Sequence, residues 1–274
     1  MIVFSNCKIN IGLYITSRRD DGYHNIETVF YPLPLYDVLE LMDAHETALT
    51  LKGIPIPGST QDNIVLKAYH LLKKDFPALP PVHFYLLKNI PPGAGLGAGS
   101  ANGAAALTAL NKKFALSLST DQLINYALQL GSDCPFFIIN QPCFAAGRGE
   151  QMQAVALNLA AYKIIVINPG IHISTPWAFQ QITPGPAKIS LQQSIFTPVK
   201  EWKNMIINDF EAPVFKAYPE IASIKNKLYE AGAAFALMSG SGSTVYALFA
   251  ADAYPSLNFP DHYFVRSLMP EQGG

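Results

Sequence analysis

The segment Pro91-Pro92-Gly93-Ala94-Gly95-Leu96-Gly97-Ala98-Gly99-Ser100-Ala101-Asn102 constrains this chain more than any other. Before it, Val82 to Leu87 patterns as a short strand. After it, the alanine-rich residues from about Ser100 to Asn111 favour a helix. Alternate glycines at such a junction remove the Cβ atoms that would hold a ligand away from the backbone. The amides can then turn inward as a concave anion site, and a helix start adds unpaired N–H groups and the positive end of its dipole. Phosphate is the natural guest of such a loop. A tight glycine turn without a ligand is the competing explanation. A flexible linker fits less well, because the glycines alternate with Ala and Leu and lead directly into the helix.

Spacing separates this loop from three familiar phosphate binders. A Walker A loop needs a Gly-Lys-Ser/Thr ending, and the segment holds no lysine. A dinucleotide fingerprint from Gly93 and Gly95 would need a third glycine where Ala98 stands; from Gly95 and Gly97 it would fall on Ser100. A protein-kinase loop fails the same spacing and has no His-Arg-Asp or Asp-Phe-Gly partner downstream.

Other elements follow from periodicity. Cys7 to Ile15 alternates Ile9, Ile11, Leu13 and Ile15 against Lys8, Asn10, Gly12 and Tyr14, the pattern of a half-buried strand. Thr28 to Leu41 reads as strand interrupted at Pro32 and Pro34. Asn63 to Phe76 has helical spacing with Asp62 or Asn63 as cap. Thr120 to Leu130 is a second helix, with Ser119 and Gln122 at capping-box spacing and Gly131 as its stop. Tyr162 to Ile167 is an apolar strand ended by Asn168-Pro169-Gly170. Asp209 to Ala231 is largely helical, and Ala234 to Met238 and Thr244 to Phe249 are strands around the turn Ser239-Gly240-Ser241-Gly242-Ser243.

Composition narrows the class. The chain has 274 residues, half of them hydrophobic and 14% charged, which suits a sizeable core and one large or two ordinary domains. A net charge of -1 supplies no general attraction for nucleic acid. The three cysteines form no C-x-x-C pair and are odd in number, which argues against a disulfide framework or structural zinc and fits a reducing cytoplasm. The N-terminus is too short for a signal peptide before its first patterned segment, and no apolar run approaches the ~18 residues that span a bilayer. No membrane partner is expected. The last five residues, Pro270 to Gly274, carry no motif.

The glycine segment resembles the central motif of the GHMP kinases. Further stretches in the same order strengthen the resemblance: Lys8-Ile9-Asn10-Ile11-Gly12-Leu13, Arg19-Asp20-Asp21-Gly22-Tyr23-His24, Gly131-Ser132-Asp133-Cys134-Pro135, Asn168-Pro169-Gly170 with Thr175-Pro176 and Phe179, and Ser239-Gly240-Ser241-Gly242. The Asp-Gly-Tyr-His and Ser-Asp-Cys-Pro stretches are the specific ones. They are similar to the branch that phosphorylates a cytidine-diphosphate-linked alcohol in the non-mevalonate route to isoprenoids. Two departures stand out: Ala98 and Pro92 occupy positions where close relatives usually have other residues.

The resemblance implies an α+β, two-domain GHMP kinase fold. Its N-terminal domain, residues 1–152, would be ribosomal protein S5 domain 2-like and bind ATP; its C-terminal domain, residues 153–274, would be ferredoxin-like. ATP would be the co-substrate, with Mg2+. The backbone of Pro91, Gly93, Ala94, Gly95, Leu96, Gly97, Ala98, Gly99 and Ser100 would bind ATP, with Asn63 and Lys88 near the nucleoside. Ser100 would be the one protein ligand offered to the metal. Lys8 and Asp133 would be catalytic. Asn10, Tyr23, His24, Thr175 and Phe179 would bind the substrate, with Tyr23 and Phe179 on the two faces of its cytosine and His24 on its polar edge.

Several of these residues have a plainer explanation. Lys8 alone reads as part of a solvated strand face, Asp133 as a helix cap, Asn63 as a helix cap, Lys88 as a solvated charge, and Tyr23 and His24 as surface residues beyond a turn. A homoserine- or mevalonate-type kinase of the same family and a non-catalytic nucleotide-binding relative are the alternatives. The expected partner is a small cytidine-diphosphate substrate, and the expected state is a monomer or weak homodimer.

Overall fold

The computed structural model describes residues 1–187 and 189–269. It is a mixed α/β structure with two sheets, and its contacts divide the chain into two discontinuous units. One comprises residues 1–7, 35–92 and 97–141; the other comprises residues 8–34 and 93–96 and the described residues from 142 onward.

The first unit packs helices on one face of a sheet. Strands β1 (Ile2–Arg18) and β2 (His24–Asp43) pair with each other, and each runs beyond this unit. The later part of β2, Val38 to Asp43, pairs antiparallel with β4 (Val82–Lys88), which pairs parallel with β3 (Ala48–Gly53). Helices α1 (Ile64–Asp75), α2 (Ala98–Lys113), α3 (Thr120–Leu130) and α4 (Cys134–Ile139) supply the remainder. Leu39, Leu41, Phe84 and Leu86 from the strands meet Val65, Leu72, Leu107, Leu110 and Leu123 in one buried cluster. Local signals set the helix ends: Asn63 caps α1 by accepting from Val65 N, and Ser119 and Gln122 form a reciprocal capping box on α3.

The second unit is built on an antiparallel sheet in the order β10-β7-β9-β8, with β7 at Tyr162–Asn168, β8 at Phe235–Met238, β9 at Val245–Ala250 and β10 at Phe264–Leu268. Between β7 and β8 lie α5 (Thr175–Gln180), α6 (Leu191–Ser194), α7 (Glu211–Ala217) and α8 (Pro219–Glu230). Ile165, Ile167, Ala236 and Val245 from the strands pack with Val214, Ile221, Ile224 and Leu228. The early part of β2 pairs with β5 (Cys143–Ala146), and β5 with β6 (Gln151–Ala154).

Several expectations change. The strand from Cys7 to Ile15 is buried on both faces, not one. Lys8 and Asn10 are only 3% and 2% exposed, so the solvated-face explanation of Lys8 fails. Strand β2 is continuous through Pro32 and Pro34, which fall between its stretch on β5 (Thr28 to Phe30) and its stretch on β4 (Val38 to Asp43), so those two ladders do not need their missing N–H. The region 209–231 is two helices, because Tyr218 precedes Pro219 and is driven out of helical geometry. Strands β5, β6 and β10 are short and carry no periodic signal long enough to read. Residues 270–274 lie outside the described residues.

Candidate active site

In the second unit, backbone and side chains of β1 and the Ser239 turn hold the first half of the glycine loop. Lys8 N donates to Leu96 O at 3.0 Å, Thr244 N to Ala94 O at 3.3 Å, and Ser239 Oγ to Gly95 O at 2.8 Å. Ser239 Oγ also accepts from Asn10 N at 3.1 Å. The loop chain therefore lies where only glycine fits: Gly95 has φ +78°, and a Cβ there would meet the Ser239 carbonyl oxygen.

Lys8 is fixed within this cluster. Its Nζ donates to Asn10 Oδ1 at 2.6 Å, approaches Gly95 O at 3.5 Å, and stands 4.9 Å from the Phe30 ring centre. Asn10 Nδ2 donates to Thr28 Oγ1 at 2.9 Å, and Thr28 donates to Gly12 O at 2.6 Å. A buried lysine so surrounded by oxygen acceptors and an aromatic face is a positioned point charge. Thr28 was not legible as part of the site, since a threonine in a β-branched strand carries no distinguishing signal.

In the first unit, α2 begins at Ala98 with Gly97 as its N-cap, left-handed at φ 67°. The caps Ser59, Asn63, Ser119 and Ser174 each accept a hydrogen bond from a backbone amide, whereas Gly97 has no side chain to do so. The first amides of this four-turn helix therefore receive no bond from an N-cap side chain. Ser100 lies in that first turn, and its hydroxyl opposes the burial that raises the Cys134 thiol. Asp133 occupies the N-cap position of α4 but makes no side-chain capping bond, so the cap explanation of this carboxylate fails. Lys88 is only 2% exposed and pairs with Asp37, so it is no solvated charge.

The Asp21-Gly22-Tyr23-His24 stretch is a tight connection between β1 and β2. Arg19 O accepts from Gly22 N and Arg19 N donates to Tyr23 O; Gly22, at φ 83°, takes the left-handed position that closes a three-residue hairpin loop. Asp21 Oδ1 accepts from Tyr23 N at 3.1 Å, and this bond is the main reason its carboxyl titrates below the usual range, with Arg19 assisting. The turn leaves Tyr23 56% exposed, with the Arg148 guanidinium 4.4 Å above its ring. His24 stacks on Phe179 of α5 at 4.8 Å and 13°, and Phe179 stands edge-on to Phe210. Partial burial, and then the Arg18 charge, hold His24 below the ordinary histidine value, so the ring is neutral near pH 7. Thr175 Oγ1 lies 2.9 Å from Ser241 Oγ, which ties the start of α5 to the Ser239 turn.

Three comparisons bear on this arrangement. Residues 63–147 match the GHMP kinases N terminal domain, and residues 198–257 match the GHMP kinases C terminal region. The chain is 50% identical over 253 residues to a 4-diphosphocytidyl-2-C-methyl-D-erythritol kinase of Bacteroides fragilis, covering 91% of this chain and 92% of that one. It is 47% identical over 271 residues to the enzyme of the same name from Azobacteroides pseudotrichonymphae, covering 97% and 100%. A crystal structure of 4-(cytidine 5'-diphospho)-2C-methyl-D-erythritol kinase superposes with a TM-score of 0.80 at 28% identity, covering 99% of this chain and 100% of that one.

Proposed function

Because the chain belongs to the GHMP kinases, in the branch of the 4-diphosphocytidyl-2-C-methyl-D-erythritol kinases, we propose that it transfers the γ-phosphoryl group of ATP to the 2-hydroxyl of 4-diphosphocytidyl-2-C-methyl-D-erythritol. The products are ADP and the 2-phosphate, a step of the non-mevalonate isoprenoid route. The observation that carries this is half identity over nine-tenths of the chain to a kinase of that name.

Phosphoryl transfer asks for positioning and charge neutralisation more than covalent help. The backbone of Pro91 and of Gly93 to Ser100 holds the phosphates, and the uncapped start of α2 supports this role. Asn63 serves the nucleoside with the amide hydrogens its cap leaves over, and Lys88 serves the nucleotide side through its buried pair with Asp37. Among the described residues no group of three or more His, Cys, Asp or Glu could hold a metal. The Ser100 hydroxyl is an oxygen donor of the kind Mg2+ accepts alongside phosphate oxygens and water. Bound in that way, Mg2+ supplies charge neutralisation on the phosphates.

Asp133 accepts the proton of the attacking hydroxyl. Lys8 steadies the charge on the reacting oxygens, and Asn10 fixes the Lys8 ammonium. Tyr23 and Phe179 flank the cytosine while neutral His24 offers one donor and one acceptor to its edge. Binding therefore exchanges the His24 ring on Phe179 for the base. Thr175 closes the substrate side beside Ser241. The division into residues 1–152 and 153–274 puts one family match in each part. The chain acts in the cytoplasm as a monomer or weak homodimer. No described helix is long and apolar enough to cross a membrane.

An acceptor screen tests the proposal. ADP release with MgATP is measured for the cytidine substrate, homoserine, mevalonate and phosphomevalonate. Turnover confined to the cytidine substrate is expected. Turnover confined to another acceptor, or none with any, overturns it.

A further inference from the structure

The two stems of the glycine loop are joined by one buried carboxylate. Asp37 on β2 is 0% exposed, yet it accepts four hydrogen bonds. Its Oδ1 accepts from the backbone amides of Asn89 at 2.8 Å and Ile90 at 3.0 Å, the last residues before Pro91. Its Oδ2 accepts from Asn102 Nδ2 at 3.0 Å and from Lys88 Nζ. Lys88, the last residue of β4, also donates to Asn102 Oδ1 at 3.1 Å, and Asn102 donates onward to Ser5 Oγ at 3.1 Å. Asn89 and Ile90 enter the loop, and Asn102 sits just past the first turn of α2, which leaves it.

A buried carboxylate opposite a buried ammonium gives little net stability, because desolvation of both charges offsets their attraction. An apolar pair would serve the surrounding core of Leu39, Leu86 and Ala106 as well. What an apolar pair could not do is hold two backbone amides and a helix side chain at fixed positions around one centre. Fixing both stems lowers the entropy lost when the loop amides converge on an anion.

We propose that Asp37, acting through Lys88, Asn102 and the Asn89 and Ile90 amides, is a positioning residue for ATP: it sets the separation of the strand end and the helix start between which the phosphate loop is strung. This rests on the reading of that loop as the ATP phosphate site. Asp37 touches no reacting atom. Its effect falls on nucleotide affinity, and the cytidine substrate is bound independently of it.

The test compares the full-length wild type with Asp37→Asn and with Asp37→Asn/Lys88→Met, in which no buried charge is left without a partner. Circular dichroism checks folding, calorimetry gives the MgATP Kd, and steady-state rates give KM for each substrate. The expected result is a rise of about tenfold or more in the Kd and KM for ATP, as the loss of charge-assisted bonds implies, with KM for the cytidine substrate changed by less than about twofold. A folded variant that binds MgATP as tightly as the wild type, or one in which both KM values rise together, overturns the assignment. Should neither variant fold, hydrogen exchange on the wild type decides: Asn89 and Ile90 amides exchanging as slowly as those of β4 support the tether, and exchange at exposed-loop rates overturns it. Wild type that binds no MgATP would sink the kinase reading itself, which separates the two failures.

Discussion

Gly95 and Ser239 meet backbone to backbone: a Cβ built on Gly95 would stand 2.1 Å from the Ser239 carbonyl oxygen, and Gly95 is held at φ +78°. The central glycine loop and the Ser239 turn, far apart in sequence, thus define each other's shape. Gly95→Ala is expected to lower thermal stability by about 1–3 kcal/mol from backbone strain alone, and more if the turn cannot yield. ATP-dependent turnover should fall by about tenfold or more, since the loop amides lose their aim. Thermal melts with parallel rate measurements check this, and wild-type behaviour in both would show that the contact is not restrictive.

The hairpin at Asp21 to His24 makes a separate claim on the substrate. Tyr23→Ala should raise KM for the cytidine substrate by about tenfold, as the loss of one base-stacking partner implies, while KM for ATP stays put. Equal effects on both substrates would remove Tyr23 from the base slot.

Burial governs the thiols. Cys134 and Cys143 are buried, and desolvation pushes both up to about 12, with the Asp133 charge adding to the effect at Cys134. Neither is a thiolate near neutral pH. In the native protein both should resist a disulfide reagent for as long as the fold holds, and both should react promptly in denaturant. Fast native labelling of either would contradict the packing around it.

Asp209 gives the fold a pH signature. Burial raises its pKa, against the opposing hydrogen bond from Ile15 N at 2.7 Å. A carboxyl whose folded value lies above its unfolded value contributes stability that is present below the unfolded pKa and lost as pH rises through the folded one. Asp209→Asn keeps an oxygen for Ile15 and carries no charge. Its melting temperature should exceed that of wild type near pH 7, and the difference should close as pH falls below the usual carboxylate range. A difference independent of pH would assign the effect to something other than ionisation.

Long periodic or capped elements were legible in the residues: α1 with its Asn63 cap, α3 with its capping box, and strands β7, β8 and β9 of the second sheet. The loop was legible because glycine alternation has few other uses. What stayed hidden was set by tertiary partners. Alternation in β1 reads as one wet face, but Asn10, Thr28 and Ser239 turn that face into a buried polar cluster around Lys8. Asp37 and Lys88 are 51 positions apart and share no motif, so only folding brings them together. Arg148 over Tyr23 is a contact of the same kind.

The central claim is that Asp133 takes the proton of an alcohol whose oxygen attacks ATP held by the glycine loop. Asp133→Asn, assayed by calorimetry for MgATP binding and by ADP release with the cytidine substrate, tests it most directly. The account predicts MgATP affinity within about twofold of wild type and turnover lower by about 10²–10⁴-fold. Near-normal turnover in that variant would contradict it.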